Sequence, residues 1–483
     1  MKKYSLILAA AAALSLVACS KDNSETDEQE NPNPTQFAVT LVKADIAVDK
    51  DGFNMITDGG FERFAGDEAW KSKSLWYLPE WISEAETPLS GKRTVHADCN
   101  THDWRDVAVQ SVCLKKNTSY TLTLSYRGAW NGLNAYMGFR GAAGHDVNLN
   151  QEGVGSEWKE YTYTLDNVDD TKADAFFGGW CWDNLWLELD DVKVIPTGSN
   201  NDTFIPENAR TIATTATNAS FTELKSFDKI VAWNESDGTV SAILAEAETA
   251  DGKKVAGVYA HTKGSAAEGL KFITVGTEPV FADGCVPTSG VTAGGVKAVR
   301  YYVPVAAADE ESDWTASEAG LAFSTDGQNW SKAEAQWKAD GNFVKASYML
   351  KDNYVYMFGS AAGDRNAMAY VARVAAANVA TYSEYEYWDG AEWVKGDEEA
   401  AAPVFFGPVD EMSVVYSPSL YTYMAIYRSS TTGGIVYRDA GLPEGEWSGE
   451  KILLLDDESA RFSPSVVSDP GSHRHLDFGR CVS

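Results

Sequence analysis

Short runs in which apolar and polar residues alternate recur along most of this chain, and they restrict its fold more than any other feature. Clear examples are 120–126 (YTLTLSY), 160–165 (EYTYTL) and 185–189 (LWLEL). A period of two places successive side chains on opposite faces of a β-strand. No stretch has a persuasive helical period, and aromatic residues, which favour strands, make up 12% of the chain. The sequence therefore predicts an all-β protein.

A loop-forming cluster at 197–202 divides the alternating runs into two parts. The part at 37–197 has the size of a jelly-roll β-sandwich. In the part at 203–483, longer units end in aromatic hairpins, and their tryptophans at 330, 393 and 447 recur at the interval of a four-stranded blade. This pattern predicts a five-bladed β-propeller, and the short first and last blades leave open whether it is complete.

The first residues have the features of an export signal. Two lysines precede an apolar segment at 6–17, which is too short to span a bilayer because about 20 apolar residues are needed. Small residues and then Cys19 end the segment, and this ending resembles a bacterial lipobox. The resemblance implies a signal peptide at 1–18 and a lipid on Cys19. The acidic tether at 19–36 is similar to the signal of Bacteroidetes surface lipoproteins, so we expect an outer-membrane lipoprotein exposed on the cell surface.

The balance of charges restricts the partners. The chain carries 70 acidic and 40 basic side chains, for a formal charge of −30. Such a surface repels nucleic acids, polyanionic glycans and anionic membranes. Neutral and cationic ligands remain, and contact with the membrane is expected only through the lipid on Cys19.

The cysteines indicate neither a metal site nor a fixed disulfide framework. Five follow Cys19, so at least one thiol is unpaired, and no CxxC motif or Cys/His cluster indicates zinc. Export permits a disulfide, for example between Cys99 and Cys113, but nothing in the sequence requires one.

Four segments of the first domain follow one another in a characteristic order. They are 54–62 (NMITDGGFE), 104–110 (WRDVAVQ), 116–122 (KNTSYTL) and 189–192 (LDDV). Together they resemble the jelly-roll carbohydrate-binding modules that accompany cellulases and xylanases. The resemblance implies a polysaccharide or oligosaccharide as the partner.

Tryptophans are the candidate sugar-binding residues of this domain. An indole can cover the flat C–H face of a sugar ring while polar neighbours bind the hydroxyls. For any one tryptophan the alternative is core packing, but six would overfill one sandwich core, so an exposed pair is expected. Trp104 is the first choice because of its loop-like context at a family position. The candidates are Trp70, Trp76, Trp104, Trp130, Trp180 and Trp182.

The resemblance to these modules also implies a metal site. In such modules an early glutamate and a late aspartate often hold a structural calcium ion, and Glu62 and Asp190 occupy those places here. Oxygen ligands suit this hard cation. The alternative is a pair of solvated acids, and no cofactor is required for the expected function.

Five segments of the second domain also run in a fixed order: 355–363 (VYMFGSAAG), 369–374 (AYVARV), 385–388 (YEYW), 407–414 (GPVDEMSV) and 435–438 (IVYR). Together they resemble a propeller family first catalogued as a domain of unknown function and later recognised as containing endo-D-arabinanases. The resemblance implies hydrolysis of glycosidic bonds in an arabinose-containing polysaccharide.

Hydrolysis of a glycosidic bond needs two carboxyl groups about 5 to 10 Å apart. Glu411 is expected to be one, because the family's Gly-Glu-Leu-Ser-Val appears here as Asp-Glu-Met-Ser-Val; the alternative is a salt-bridged structural acid. Asp410 is expected to point to the opposite face of a regular strand. The aspartates that the family carries in its first blade are missing, and Asp228 and Asp283 are candidate substitutes.

Three classes of function therefore remain. The first is a surface-anchored glycoside hydrolase whose sandwich holds the glycan that its propeller cleaves. The second is a non-catalytic glycan-binding lipoprotein with a degenerate propeller. The third is a structural or adhesion protein, which explains the tether but gives no reason for the aromatic loops. The missing first-blade acids count against the first class.

Overall fold

A computed structural model of the protein describes residues 37–45, 53–64, 66–129, 135–142, 146–148, 155–198, 214–221, 224–249, 251–264, 271–274, 278–306, 314–363, 367–418, 421–432, 434–454, 465–468 and 475–479. Strands dominate, with short 3-10 turns at Ala376–Asn378, Tyr382–Glu384 and Glu398–Ala400. Across these residues, no helix has the length and apolar character needed to cross a membrane. The predicted all-β class is confirmed.

The first strand of the chain, β1 (Phe37–Asp45), does not belong to the β-sandwich that follows it. The strands of the sandwich are β2 (Ile82–Glu84), β3 (Val95–Cys99), β4 (Trp104–Cys113), β5 (Tyr120–Gly128), β6 (Ala135–Gly141), β7 (Asp146–Asn148), β8 (Lys159–Leu165), β9 (Lys172–Trp180) and β10 (Leu185–Pro196). They form a five-stranded sheet, in the order β2-β3-β10-β5-β8, and a four-stranded sheet, in the order β4-β9-β6-β7.

Period-two alternation builds the core between these two sheets. Along β5, every second side chain from Tyr120 is buried, and its intervening neighbours are half-buried. Phe139 and Phe177 of the four-stranded sheet pack into the same core. A one-sided apolar pattern of this kind fixes which face of each strand is turned inward.

The remaining strands form the second domain. They are β11 (Thr214–Phe221), β12 (Leu224–Ser226), β13 (Lys229–Asn234), β14 (Val240–Ala245), β15 (Ala247–Thr249), β16 (Lys254–Val255), β17 (Val258–Thr262), β18 (Lys271–Thr274), β19 (Val286–Ala293), β20 (Val296–Val305), β21 (Thr315–Ser324), β22 (Ser331–Trp337), β23 (Lys345–Lys351), β24 (Tyr354–Ser360), β25 (Ala369–Ala375), β26 (Glu386–Trp388), β27 (Trp393–Lys395), β28 (Pro403–Phe405), β29 (Met412–Ser417), β30 (Thr422–Arg428), β31 (Ile435–Ala440), β32 (Lys451–Leu454), β33 (Ser465–Ser468) and β34 (His475–Gly479).

Most of these strands, together with β1, form five blades around a central axis, and β12, β15 and β16 form a separate three-stranded sheet. Blade 1 is β13-β14-β17-β18, blade 2 is β19 to β22, blade 3 is β23 to β27 with β28 beside β25, and blade 4 is β29 to β32. Blade 5 is β33-β34-β1-β11, and a parallel pairing of β11 with β18 joins it to blade 1 in one eight-stranded sheet. The inner strands β13, β19, β23, β29 and β33 contact one another in a closed ring, as the predicted propeller requires.

Serine side chains join neighbouring inner strands within this ring. The amide of Tyr348 donates to Ser289 Oγ at 2.7 Å, and the amide of Val414 donates to Ser347 Oγ at 3.0 Å. These bonds link β19 to β23 and β23 to β29 at matching positions. The inner strands therefore begin at one face of the propeller and end at the other.

The fifth blade corrects the predicted domain boundary. We expected the sandwich to begin at residue 37, but β1 pairs with β11 on one side and with β34 on the other. Residues 37–45 and 465–479 thus contribute strands to the same blade. This arrangement also supplies the strands that a short final blade seemed to lack.

Buried contacts hold the sandwich against blade 4. Arg63 of the sandwich forms an ion pair with Glu450 at 2.8 Å, and both side chains are almost fully buried. The hydroxyl of Tyr427 donates to the other oxygen of Glu450 at 3.1 Å, and the amide of Glu450 donates to Thr57 Oγ1 at 2.7 Å. We call Thr57, Arg63, Tyr427 and Glu450 the interdomain clamp. A Cβ on the adjacent Gly449 would lie 2.2 Å from a sandwich carbonyl oxygen, so only glycine allows this approach.

Candidate functional site

Aromatic rings cluster on the outer face of the four-stranded sheet of the sandwich. Trp104 on β4 and Trp180 on β9 occupy directly opposite positions, and their indoles meet edge to face with ring centroids 6.1 Å apart. Tyr136 on β6 packs against the other side of Trp104 at 5.1 Å. Trp180 is 45% exposed, whereas Trp104 and Tyr136 are half-buried. The three rings therefore form one partly open aromatic surface.

A charged pair lies beside these rings. Arg140 donates to both carboxylate oxygens of Asp106, at 2.7 and 3.1 Å, and the indole N–H of Trp104 donates to Asp106 at 3.0 Å. The Arg140 guanidinium also lies 4.0 Å from the ring centre of Phe176. Bidentate pairs of this kind hold both side chains in fixed orientations. We call the set Trp104, Asp106, Tyr136, Arg140, Phe176 and Trp180 the platform.

The charge state of Asp106 follows from these contacts. Burial raises the pKa of its carboxyl group, but the hydrogen bonds from Arg140 and Trp104 and the positive charge of Arg140 outweigh burial, so the pKa lies below its usual value of 3.8. Asp106 is consequently ionised at neutral pH. A fixed carboxylate and guanidinium can accept from and donate to hydroxyl groups of a ligand that stacks on the rings.

The other predicted tryptophans divide into exposed and buried positions. Trp182 is 47% exposed and packs against His102 at 5.1 Å, just beyond the end of β9. Trp70 and Trp76 are buried in the sandwich core, so their prediction as sugar-binding residues was wrong. Both tryptophans lie in the loop before β2, which folds over the sandwich and places them in its core. The guanidinium of Arg93 covers the Trp70 ring at 4.1 Å. Trp130 lies outside the described residues.

In the propeller, Glu411 is buried in an ionic cluster at the face where the inner strands begin. It forms an ion pair with Lys229, the first residue of β13, and accepts a hydrogen bond from the Tyr302 hydroxyl at 3.2 Å. Burial, followed by the negative charges of Glu411 and Asp410, raises the pKa of Tyr302 far above its ordinary value of 10. Tyr302 is therefore a hydrogen-bond donor to Glu411 at every physiological pH.

Asp410 belongs to the same cluster. Its carboxylate accepts from Lys345, the first residue of β23, at 3.3 Å, and the ring of Trp314 stacks on Tyr302 at 5.0 Å. We expected Asp410 to point away from Glu411, but β29 begins only at Met412. Because both acids precede the strand, strand alternation does not separate them. Glu411 accepts from the Tyr302 hydroxyl, and the negative charge of Asp410 contributes to the raised pKa of Tyr302.

The two predicted partner acids are not part of this cluster. Asp228 and Asp283 are exposed, and the side chains that contact Glu411 are Lys229 and Tyr302. Asp228 immediately precedes Lys229 in the chain, but Lys229 is buried whereas Asp228 is exposed. The sequence analysis missed Lys229, Tyr302 and Lys345. The signal for the two lysines was a cation as the first residue of an apolar strand. Its meaning becomes clear only once the ring of inner strands is known.

The residues predicted to hold calcium lie near one another. Glu62 accepts hydrogen bonds from the amides of Lys92 and Arg93 at 2.7 and 2.8 Å, and Asp190 accepts from the Thr94 hydroxyl at 2.6 Å. A Cβ on Gly60 would lie 3.9 Å from atoms of both acids. Within the described residues, no group of three or more His, Cys, Asp or Glu side chains is arranged to hold a metal ion. Since calcium takes six to eight oxygens, backbone carbonyls and water would have to supply most ligands.

A polar cavity of about 730 Å³ adjoins this pair where the sandwich meets blade 4. Acidic side chains dominate its charged lining, and Lys193 and Lys451 also face it. The acids are Asp58, Glu62, Asp191 and Glu450. Each of them already accepts a hydrogen bond within the protein or forms an ion pair, so the lining is largely satisfied internally.

The cysteines differ from the pairing that we considered. Cys113 is a free, buried thiol, so it does not pair with Cys99, whereas Cys181 is disulfide-bonded. Cys285 is also free and buried, and burial raises its pKa to about 11. Neither free thiol is therefore activated as a nucleophile.

Several solved structures overlap parts of the chain. A GH43_1 enzyme from Xanthomonas citri aligns with 52% of this chain and 86% of its own at 12% identity, with a TM-score of 0.33. The Hadza microbial sialidase Hz136 aligns with 79% of this chain and 98% of its own at 9% identity and a TM-score of 0.33. TmCBM61, solved with β-1,4-galactotriose, aligns with 30% and 98% at 16% identity and a TM-score of 0.24. Overlaps at this level assign no activity.

Sequence relatives are more informative about family than about activity. Notoamide biosynthesis cluster protein J of Aspergillus sp. (strain MF297-2) is 27% identical over 148 residues, which are 29% of this chain and 40% of that protein. Its counterpart J′ of Aspergillus versicolor is 28% identical over 150 residues, 30% and 41% of the two chains. The chain thus spans about 40% of the length of these curated relatives. Residues 220–475, more than half of the chain, match a single family, and the protein belongs to that family, described as Domain of unknown function (DUF4185).

Proposed function

We propose that this protein binds a neutral glycan on the platform of its sandwich. The observation that carries the proposal is the row formed by Trp104, Trp180 and Tyr136, with the Asp106–Arg140 pair beside it. Sugar rings offer flat C–H faces to such rings and hydroxyls to the charged pair. The formal charge of −30 favours a neutral chain over a polyanionic one.

The rigidity of the platform supports this role. Asp106 is held by three hydrogen bonds, and Gly178 on the neighbouring strand leaves room for it, since a Cβ there would lie 2.7 Å from the Arg105 carbonyl oxygen. A surface whose side chains are already fixed loses little conformational entropy when a ligand binds. The platform is therefore suited to binding without rearrangement.

Affinity electrophoresis tests the proposal on the soluble chain from residue 20. The gels contain arabinan, arabinogalactan, galactan, xylan or mannan, and we expect at least one polysaccharide to retard the protein. Trp104→Ala with Trp180→Ala should abolish retardation that depends on the platform. Trp158→Ala is the matched control, because Trp158 stacks on Arg127 of the other sheet at 4.7 Å. Equal retardation of the platform variant and the control would contradict the proposal.

Hydrolysis of an arabinose-containing polysaccharide at the propeller is a second candidate function. The observation that favours it is the presence of two carboxylates, Glu411 and Asp410, beside Tyr302 where the inner strands begin. Because Glu411 is paired with Lys229, an ionised role as nucleophile or base suits it better than that of the acid. The resemblance of the 407–414 segment to endo-D-arabinanases supports arabinose as the sugar.

Release of oligosaccharides from arabinan and mycobacterial arabinogalactan tests the second candidate. Asp410→Asn should abolish release while leaving retardation by the platform unchanged. Lys345 contacts Asp410 and also donates to the Gly363 carbonyl oxygen, so its position does not depend on the carboxylate charge. Absence of release by the unmodified protein from both substrates would reject hydrolysis and leave the binding role.

Two further parts of the proposal concern a lipid anchor and a bound metal ion. Residues 1–36 lie outside the described residues, and the lipobox-like segment before Cys19 supports a lipid anchor on the outer membrane. Cys19→Ala should move the protein from the membrane fraction to the soluble fraction. We also propose a structural calcium ion at Glu62 and Asp190, which a thermal shift on adding calcium tests.

A further inference from the structure

A second pair of rings lies two residues beyond the Trp104–Trp180 pair of the platform. Trp104 begins β4 and Trp180 ends β9, and the two occupy opposite positions in the ladder. Two residues outward from each of them, the His102 ring packs against the Trp182 indole with centroids 5.1 Å apart. Asp183 follows directly, and its carboxylate lies 3.3 Å from Nε2 of His102. We call His102, Trp182 and Asp183 the outer rung.

Backbone pairing carries the platform surface on to the outer rung. The amide of Cys181 donates to the Asp103 carbonyl oxygen at 2.9 Å, so the two segments stay side by side between the two pairs of rings. Side chains two residues apart on an extended chain lie on the same face. Exposure follows this alternation, because Trp180 is 45% exposed, Cys181 is 1% exposed in the sandwich core, and Trp182 is 47% exposed. The indoles of Trp180 and Trp182 therefore lie on one face, with their backbone positions about 7 Å apart.

Exposed tryptophans in the described part of the chain occur only on this surface. Among the tryptophans of the described residues, Trp180 and Trp182 are exposed, whereas the others are buried or half-buried. Large apolar side chains left open to water side by side are typical of a binding surface. Cys181 between them is buried and disulfide-bonded, which fixes the segment that carries both indoles. The two open rings are therefore held in place before any ligand arrives.

Polar side chains accompany the exposed indole of the outer rung, as they do in the platform. The rings of the platform have the Asp106–Arg140 pair beside them. Trp182 has His102 and Asp183 beside it, and the side chains of these two residues are 58% and 70% exposed. Imidazole nitrogens and carboxylate oxygens form hydrogen bonds with sugar hydroxyls. The outer rung therefore repeats the chemistry of the platform, a flat apolar face with hydrogen-bonding groups at its side.

We infer that the outer rung is a second sugar subsite, so that the platform binds a chain of at least two linked sugar units lying from Trp180 to Trp182. One indole covers the face of one sugar ring, and two indoles on neighbouring positions therefore need two units. Once the first unit is bound, contact of the next unit is intramolecular, and this raises the affinity for the chain. The ligand class rests on the proposed function. The outer rung adds the minimum length of the ligand and the line along which it lies.

Isothermal titration calorimetry on the soluble chain from residue 20 tests the inference. The probes are the monosaccharide and the tetrasaccharide of each polysaccharide that retards the protein in the gels. The unmodified protein should bind the tetrasaccharide at least about tenfold more tightly than the monosaccharide, and Trp182→Ala should weaken tetrasaccharide binding by about tenfold. Trp182→Phe keeps a ring and should recover most of this loss. Trp158→Ala is the matched control on the other sheet and should leave the affinity unchanged.

The outcomes separate this inference from the proposed function. If Trp104→Ala with Trp180→Ala abolishes tetrasaccharide binding and Trp182→Ala leaves it unchanged, the platform binds the glycan and the outer rung is not a subsite. If the unmodified protein binds the monosaccharide and the tetrasaccharide equally tightly, the ligand occupies one unit, and again only this inference fails. If no polysaccharide of the panel retards the unmodified protein, the proposed function fails and the inference fails with it.

Discussion

Lys229 and Glu411 form an ion pair at the centre of the propeller although 182 residues separate them in the chain. Their side chains are only 10% and 11% exposed. The pair joins the first strand of blade 1 to the segment that enters blade 4, and Tyr302 of blade 2 donates to the same carboxylate. Three blades are thus connected through one carboxylate.

Removing one member of this pair should destabilise the protein more than removing both. Glu411→Gln leaves a buried ammonium without its counter-charge, and Lys229→Met leaves a buried carboxylate, each costing about 3–5 kcal/mol. In the double variant neither charge remains, so its loss of unfolding free energy should be smaller than that of either single variant. Urea unfolding of the four proteins measures the coupling. Additive losses would mean that the two side chains do not interact.

The interdomain clamp should make the sandwich and the propeller unfold together. Glu450→Gln removes the charge that Arg63 and Tyr427 contact and leaves a buried guanidinium unpaired. We expect the unmodified protein to unfold in one calorimetric transition and the Glu450→Gln variant to unfold in two. We also expect a protease to cleave the variant between the domains at a lower temperature than the unmodified protein. Glu392→Gln is the control, since Glu392 is exposed in a hairpin of blade 3. An unsplit transition would show that other contacts suffice to couple the domains.

Local patterns predicted single strands well and their neighbours poorly. The alternation at 120–126 correctly indicated a strand with one buried face, because burial of that face selects the pattern. The same pattern does not reveal which strand lies beside it. Trp104 meets Trp180, and Phe37–Asp45 joins the last blade, through pairings distant in the sequence. Trp70 and Trp180 look alike in the sequence, yet one is 7% exposed and the other 45%.

Calcium should raise the melting temperature if Glu62 and Asp190 hold it. The ion would replace mutual repulsion between carboxylates with attraction, so stability should rise by RT ln(1 + [Ca²⁺]/Kd). Differential scanning fluorimetry with 1 mM calcium against a chelator measures the shift. Glu62→Gln should abolish it, while Glu68→Gln, a change at an exposed neighbouring acid, should not. An identical melting temperature with and without calcium would show that Glu62 and Asp190 do not hold the ion.

Glycan binding by the platform should persist in mildly acidic solution and fail in stronger acid. The Asp106 carboxyl has a pKa below its usual 3.8, so it stays ionised as the pH falls from 7 to about 4. A lowered pKa means that its contribution is present above the ordinary value and is lost as the pH drops through the folded-state value. Retention on an insoluble polysaccharide, measured between pH 7 and 3, should therefore be flat and then decline. Asp106→Asn should bind weakly throughout this range, because it keeps an acceptor for Trp104 but loses the charge that holds Arg140. A decline centred near pH 6 in the unmodified protein would assign the binding to a different group.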